Sequence, residues 1–246
     1  MIPLQDSLPR RTVPVVTWGL IAVNTLVFLL ETALPEPTRE LVIQYLGLVP
    51  ARLTDPVWAA AHGYPPGAYL TLFTHLFLHG GWVHILGNMW TLWIFGDNVE
   101  DRMGHLRFLI FYFLCGFVAA LVHVHMYPHS TIPTIGASGA ISGVLGAYLL
   151  MFPAARIVVM IPIFIFPFIF EVPAVFFLVY WYLLQVFSGT LSLALPEPVI
   201  EVAWWAHVGG FLAGMFLHRF FCLRGRCYYR DEEIPGVVSY FDRINR

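Results

Sequence analysis

The chain has 246 residues, of which 59% are hydrophobic and 11% charged, and its mean hydropathy is +0.74. Soluble domains carry roughly 25% charged residues, so this composition excludes a water-soluble globular protein and predicts a polytopic membrane protein. The net charge is only -2 and all 13 basic residues are arginine, so the topological information lies in the positions of the arginines.

Six apolar segments, separated by proline, glycine and charged residues, are predicted to be membrane-spanning helices. They are Val15 to Leu30, Trp82 to Val99, Leu106 to His125, Ser138 to Phe152, Val172 to Ser188 and Val202 to Cys222. The stretch from Ile157 to Phe170 is also apolar, but it is short and Pro162 and Pro167 interrupt it. We therefore predict an interfacial connection there, and an all-α bundle of six helices for the chain as a whole.

The arginines indicate the orientation of this bundle. Six spans place eleven arginines on one side of the membrane and only Arg39 and Arg52 on the other. Because cytoplasmic loops are enriched in arginine, both termini are predicted to be cytoplasmic. Arg10 and Arg11 could instead begin a secretory signal, but no small-residue cleavage site follows Leu30, which favours an uncleaved first span.

This topology divides the chain into a cytoplasmic N-terminus (1–14), a six-span core (15–222) and a cytoplasmic tail (223–246). A long external loop, Pro35 to Gly81, joins the first two spans. Cys222 and Cys227 flank a basic turn and are predicted to be unreactive thiols, a metal or redox pair being the alternative.

Polar side chains inside the spans are functional candidates, because hydrocarbon disfavours them. His84 and Asn88 lie at the start of the second span, Ser138 starts the fourth, and His207 lies near the start of the sixth. The predicted topology brings these three helix starts to the external end of the bundle at a similar depth.

Small residues spaced four apart follow both Ser138 and His207. The predicted helix-packing residues are Gly136, Gly139, Gly143, Gly210 and Gly214. Because such faces let membrane helices approach closely, spans four and six are predicted to touch, with Ser138 and His207 within hydrogen-bond distance. The alternative is that the glycines only pack helices and the polar residues satisfy backbone groups.

A serine hydroxyl beside a histidine can perform nucleophilic acyl transfer, since the imidazole takes the hydroxyl proton and returns it to the leaving group. Ser138 is the predicted nucleophile and His207 the predicted base. Asp97 falls at the opposite end of its span and Glu201 lies about two turns from His207, so a dyad is the simpler interpretation.

The oxyanion formed in such a reaction needs hydrogen-bond donors. His84 and Asn88 are four residues apart and share one helix face, and the amide of Ser138 lies at a helix N-terminus. These three groups are the predicted oxyanion hole, an interhelical hydrogen bond being the alternative role for Asn88.

His75 and His79 precede this face. Their spacing is compatible with a metal pair, but the residues between them are apolar, so we expect them to tie the external loop to the second span. No metal, cofactor or nucleic-acid partner is expected.

Four motifs together resemble those of the rhomboid intramembrane serine proteases. They are Gly136-Ala137-Ser138-Gly139, Ala206-His207-Val208-Gly209-Gly210, His84 followed by Asn88, and Glu100-x-Arg102-x-Gly104. The resemblance runs from about Thr71 to Gly214, with the motifs in the expected order.

The resemblance implies a six-helix core, the Ser138–His207 dyad, and the oxyanion hole already described. It also implies that Glu100 and Arg102 brace the external loop or adjacent helix ends, and that the fifth span and the loop before His207 act as a gate. The implied substrates are transmembrane segments of other proteins within the lipid bilayer.

Two positions depart from the family pattern. Some members carry a tyrosine four residues after the nucleophile, where this chain has Ser142, so another aromatic residue would have to contact the histidine. Some carry Trp-Arg where this chain has Leu70 and Thr71, which leaves the anchor of the external loop open.

The leading hypothesis is an intramembrane serine endopeptidase in a prokaryotic plasma membrane. A non-proteolytic relative that captures membrane proteins is the first alternative, and it would tolerate loss of Ser138. A channel or transporter is the second, but the sequence lacks the internal repeat typical of that class. The oligomeric state and the substrate stay open.

Overall fold

The computed structural model describes residues 1–163, 166–194, 202–223 and 227. Within them the chain forms ten α-helices and one antiparallel sheet. The helices are α1 (Val15–Thr32), α2 (Glu36–Leu46), α3 (Pro50–Thr54), α4 (Pro56–Ala61), α5 (Thr71–Thr74), α6 (Trp82–Met103), α7 (His105–Met126), α8 (Ser138–Met151), α9 (Ala174–Ala194) and α10 (Trp204–Phe221). The strands are β1 (Ile2–Asp6), β2 (Arg156–Ile163) and β3 (Phe166–Pro173), and short 3-10 turns cover Ala68–Leu70 and His75–Phe77.

The six long helices coincide with the six predicted apolar segments to within a few residues. Within the described residues, three of them, α1, α7 and α9, are both long and apolar enough to cross a bilayer. Helix α8 is apolar but has only 14 residues, a length of about 21 Å. The chain is thus a mostly helical integral membrane protein.

Helix α8 lies at the centre of the bundle, where all but two of its residues are buried. Its glycines form the contact with α10. A Cβ atom placed on Gly210 or on Gly214 would collide with the carbonyl oxygens of Gly139 and Gly143, respectively. A Cβ on Gly143 would strike Cys115 of α7. The predicted approach of these two helices is therefore present in the fold, and any larger side chain at the contact would separate them.

Two strands of a three-stranded sheet, β2 and β3, occupy the segment predicted to be an interfacial connection. Strand β2 pairs with β3 as a hairpin and with β1 on its other side. Pro162 and Pro167 lie opposite one another near the hairpin end, past the last partner of β1 at Met160, where their missing amide hydrogens cost little. The prediction of an all-α chain was therefore wrong at this segment, although the described chain is mostly helical.

The N-terminal strand is fixed to the helices by side-chain contacts. The indole of Trp90 donates to the carbonyl of Pro3 at 2.6 Å. The buried carboxylate of Asp6 accepts hydrogen bonds from the Asn98 amide (2.7 Å) and the Tyr148 hydroxyl (2.6 Å). The sheet therefore packs where α6 ends, at the end of the bundle remote from Ser138.

The loop between α1 and α6 contains short helices and is hydrogen-bonded to the loop before Ser138. Leu48 and Thr134 form an isolated antiparallel bridge, and the amide of Gly136 donates to the carbonyl of His75 at 2.9 Å. The guanidinium of Arg52 is buried and donates to the carbonyl oxygens of Tyr45 (2.8 Å) and Pro65 (3.3 Å). Arg52 thus anchors this loop, whose anchor the residues Leu70 and Thr71 had left open.

Cys222 and Cys227 form a disulfide. Helix α10 ends at Phe221, and the Cα atoms of the two cysteines lie 5.2 Å apart. The prediction of two unreactive thiols was therefore wrong. Apart from Leu223 and Cys227, the predicted tail lies outside the described residues.

Candidate active site

Ser138 and His207 meet at one end of the α8–α10 contact. Ser138 is the first residue of α8, and His207 lies one turn into α10, where it is buried. The distance from Ser138 Oγ to His207 Nε2 is 2.8 Å, a hydrogen bond. The close packing of the glycines brings the two helix starts together, so the geometry needed for proton transfer between hydroxyl and imidazole is already in place.

A cavity of about 700 Å³ opens beside this pair. His84 and Asn88 line it from α6, Ser138 from α8, and Ala203 and His207 from the start of α10. The four polar residues predicted from the sequence to form the site are thus brought to one cavity.

His84 and Asn88 both present hydrogen-bond donors in this region. Nδ1 of His84 accepts a hydrogen bond from the amide of Gly80 at 3.4 Å, so the neutral ring carries its proton on Nε2. The amide nitrogen of Asn88 is buried and has no hydrogen-bond partner among the described residues. A buried donor without a partner is unfavourable, and an oxyanion in the cavity would satisfy it.

Gly136 has a different structural role from the helix packing predicted for it. It lies before α8, with φ +121°, and a Cβ atom there would lie 2.6 Å from Nε2 of His84. Only glycine combines this backbone conformation with such close contact. Gly136 therefore lets the loop before Ser138 pass directly over the His84 ring.

The side chain of Gln185 was not predicted as part of the site. Its Oε1 atom lies 2.9 Å from Nδ1 of His207, on the opposite side of the ring from Ser138. Gln185 is buried on α9, and its isolation within an apolar span was a signal available in the sequence. Glu201, considered earlier as an acidic partner, lies outside the described residues, as does most of the loop before His207.

Two tryptophans contact the imidazole of His207. The ring of Trp181 on α9 lies 6.0 Å from it, and that of Trp204 lies 6.3 Å away in an edge-on arrangement. Ser142 does not take this place, because its hydroxyl donates to the carbonyl of Ser138 at 2.7 Å. Aromatic contacts to the histidine thus come from α9 and from α10 itself.

His75 and His79 lie behind the cavity and are buried. The His75 ring bonds to the carbonyl of Thr71 at 2.7 Å, and the amide of His79 donates to the buried carboxylate of Glu31 at 3.4 Å. Burial lowers the pKa of His75 to about 4, and burial with the nearby His84 lowers that of His79 to about 4. Both rings are neutral near pH 7, and both contacts hold the loop that precedes α6.

Glu100 and Arg102 lie at the opposite end of α6 and brace helix ends there, the second of the two options the resemblance implied. The Glu100 carboxylate is fully buried and accepts hydrogen bonds from the amides of Val16 (2.9 Å) and Thr17 (2.8 Å) in the first turn of α1. The Arg102 guanidinium lies 5.2 Å from the ring of Phe152 after α8, and its carbonyl accepts from the amide of Leu223. Neither residue contacts the external loop in these interactions.

The family profile described as Rhomboid domain matches residues 66–224. The chain belongs to the rhomboid family. The matched region begins in the loop before α5 and ends after α10, so it contains every residue of the cavity.

Curated relatives match shorter stretches. The Rhomboid protease GluP of Bacillus subtilis (strain 168) is 39% identical over 34% of this chain and 16% of its own length. RHOMBOID-like protein 6, mitochondrial, of Arabidopsis thaliana is 35% identical over 32% of this chain and 25% of its own length. RHOMBOID-like protein 9, chloroplastic, of the same organism is 29% identical over 53% of this chain and 28% of its own length. The matches thus cover less than a third of each of these relatives.

Proposed function

We propose that this chain is an intramembrane serine endopeptidase that cleaves peptide bonds in or near transmembrane segments of other membrane proteins. The observation that carries the proposal is the 2.8 Å contact between Ser138 Oγ and His207 Nε2 beside an open cavity. Membership of a family that includes named proteases supports it.

In the proposed reaction, Ser138 Oγ attacks the carbonyl carbon of the scissile bond while its proton moves to Nε2 of His207. The imidazolium then protonates the leaving nitrogen, the C–N bond breaks, and an acyl-serine remains. Water attacks this ester, gives one proton to His207, and releases the new carboxyl terminus as Ser138 recovers its hydroxyl proton.

The proposed oxyanion hole consists of His84 Nε2–H, the Asn88 amide and the backbone amide of Ser138. Support for His84 comes from its tautomer, and support for Asn88 from its unpartnered buried nitrogen. The first intrahelical hydrogen bond of α8 joins Ile141 to Ala137, so the Ser138 amide precedes the internal bonding of the helix.

The proposed arrangement in the membrane has six spans, corresponding to the six long helices, with both termini cytoplasmic and the cavity open to the external face. The asymmetry of the arginines supports this orientation. The proposed location is a prokaryotic plasma membrane. A substrate segment must unwind locally there, because its carbonyl groups are otherwise engaged in helical hydrogen bonds.

The decisive experiment treats purified full-length protein with a fluorescent fluorophosphonate and maps the modified residue. We expect wild-type protein to be labelled at Ser138, and Ser138→Ala and His207→Ala to lose both labelling and cleavage of a model transmembrane substrate while staying folded in detergent. Ser142→Ala, one turn along the same helix, is the matched control and retains both.

Undiminished cleavage by Ser138→Ala would overturn the assignment. Absence of labelling in the wild type would instead favour the non-proteolytic alternative, in which the cavity captures a client without hydrolysing it.

A further inference from the structure

Besides Ser138, a second polar side chain contacts the imidazole of His207, that of Gln185. We infer that Gln185 is a positioning residue that fixes the tautomer and orientation of His207. The inference rests on the proposed function, because it assigns Gln185 a task in the same reaction.

The orientation of the Gln185 amide follows from its two partners. One end of the amide lies 3.2 Å from the carbonyl oxygen of Trp181, one turn earlier on α9. A carbonyl oxygen only accepts, so the NH₂ group of Gln185 faces Trp181. Oε1 therefore faces His207, as the 2.9 Å contact with Nδ1 records.

This orientation determines which nitrogen of His207 carries the proton. Oε1 of Gln185 has no proton to donate, so Nδ1 must be the donor. In the neutral ring, Nε2 then bears the lone pair, and it is Nε2 that lies 2.8 Å from Ser138 Oγ. The three side chains of Ser138, His207 and Gln185 are thus aligned so that the serine proton can move only to the free lone pair on Nε2 of His207.

The same contact restrains the ring mechanically. Gln185 and His207 are both buried, and a buried amide with both ends bonded has little rotational freedom. An imidazole held at Nδ1 cannot flip. A flipped ring would present a carbon or the wrong nitrogen to Ser138. Unlike the aspartate of a serine protease triad, Gln185 is uncharged, so it orients the base without adding full charge stabilisation of the imidazolium.

The first test replaces Gln185 with methionine, which is similar in length but lacks the acceptor. We expect Gln185→Met to lower kcat about 10-fold, with KM within twofold, and to slow fluorophosphonate labelling of Ser138 to the same degree. Gln5→Met makes the identical substitution at an exposed position of β1 and should match the wild type. Wild-type kcat in Gln185→Met would overturn the inference.

The second test uses Gln185→Glu, which retains an acceptor oxygen and adds charge. A carboxylate beside Nδ1 stabilises the imidazolium, so the acidic limb of the kcat/KM profile should move to higher pH. Among the residues that the structure describes, His84 and His123 are the other titratable groups that interact electrostatically with His207, and both are unchanged in the variant. If Gln185 were only structural, the substitution would alter the unfolding midpoint but not the pH of the acidic limb. An acidic limb at the wild-type pH would overturn the inference.

A direct measurement does not depend on substrate. With ¹⁵N-labelled histidine, His207 in the wild type should carry its proton on Nδ1, and in Gln185→Met a mixture of tautomers should appear. A wild-type ring protonated on Nε2 would refute the inference even if the protein hydrolyses its substrate. Loss of labelling in the wild type itself would refute the proposed function instead, so the two failures are distinguishable.

Discussion

Helix α6 carries polar side chains at both of its ends, and the two ends are built in opposite ways. At the end near Ser138, the Asn88 amide nitrogen is buried without a partner among the described residues and borders a cavity. At the other end, the Glu100 carboxylate receives four hydrogen bonds, from the amides of Val16 and Thr17, the Thr17 hydroxyl and the His105 ring.

Within helix α6, one end thus stabilises the fold and the other is suited to the proposed reaction. A buried carboxylate whose acceptors are occupied holds helices together, and here it also stabilises the positive N-terminal end of α1. A buried donor left open beside a cavity is suited to a charge that exists only during a reaction. Substitutions at the two ends of α6 should therefore have different effects on stability and turnover.

The largest expected effect is on stability, at the Glu100 end. Glu100→Ala would remove all four hydrogen bonds and leave the first turn of α1 uncapped, lowering the free energy of unfolding by about 3–5 kcal/mol. Denaturation by sodium dodecyl sulfate, followed by circular dichroism, measures this. The folded fraction should retain wild-type turnover, and a loss of turnover without a loss of stability would break the contrast.

Asn88 and Asn98 offer a matched pair, since the same substitution can be made at each end of α6. Asn88→Ala should lower kcat about 100-fold with little change in KM or stability, because in the proposed mechanism its donor acts on the transition state. Asn98→Ala should instead leave Asp6 short of a donor and lower the free energy of unfolding by roughly 1–3 kcal/mol with turnover intact.

His84→Ala is expected to follow Asn88→Ala, with a loss confined to kcat. If either variant raised KM alone, the donors would be binding groups and the oxyanion assignment would be wrong.

Acid should weaken the region behind the cavity. His75 and His79 have pKa values of about 4 in the fold, against an ordinary value of 6.5, so the unfolded chain binds more protons between these values. Stability is therefore full above pH 6.5 and falls as the pH drops toward 4, by roughly 2 kcal/mol per histidine at pH 5. Unfolding midpoints at pH 7 and pH 5 measure this, and His75→Gln should reduce the dependence.

The smallest effect is expected for Ser142→Ala. Within the described part of the chain, its hydroxyl bonds only to the carbonyl of Ser138 in the same helix, so its loss should change stability by less than about 1 kcal/mol and turnover by less than threefold. A large loss of turnover would indicate that the position of Ser138 depends on this contact.

The sequence predicted the long helices well because each is a continuous apolar run bounded by proline, glycine or charge. It also predicted which polar residues meet, since small residues spaced four apart specified the contact between α8 and α10. Sequence reasoning could not resolve the sheet, because β2 and β3 are apolar on both faces and lack the alternation that marks a half-buried strand.

Other features depend on contacts between distant segments. Gln185 stood alone in an apolar span, and only the packing of α9 against α10 reveals its partner. Glu100 was assigned a bracing role by resemblance, but the helix that it caps begins more than 80 residues earlier. Such pairings leave no periodic signal in a single sequence.

The position of β1 has a consequence for biosynthesis. The residues of β1 are translated about 150 residues before their partners in β2. The edge of the sheet is thus completed only after α8 has been made, and Asp6 reaches Asn98 and Tyr148 at the same late stage. Strand β1 can therefore take its place in the sheet only after helices α1 to α8 have been synthesised.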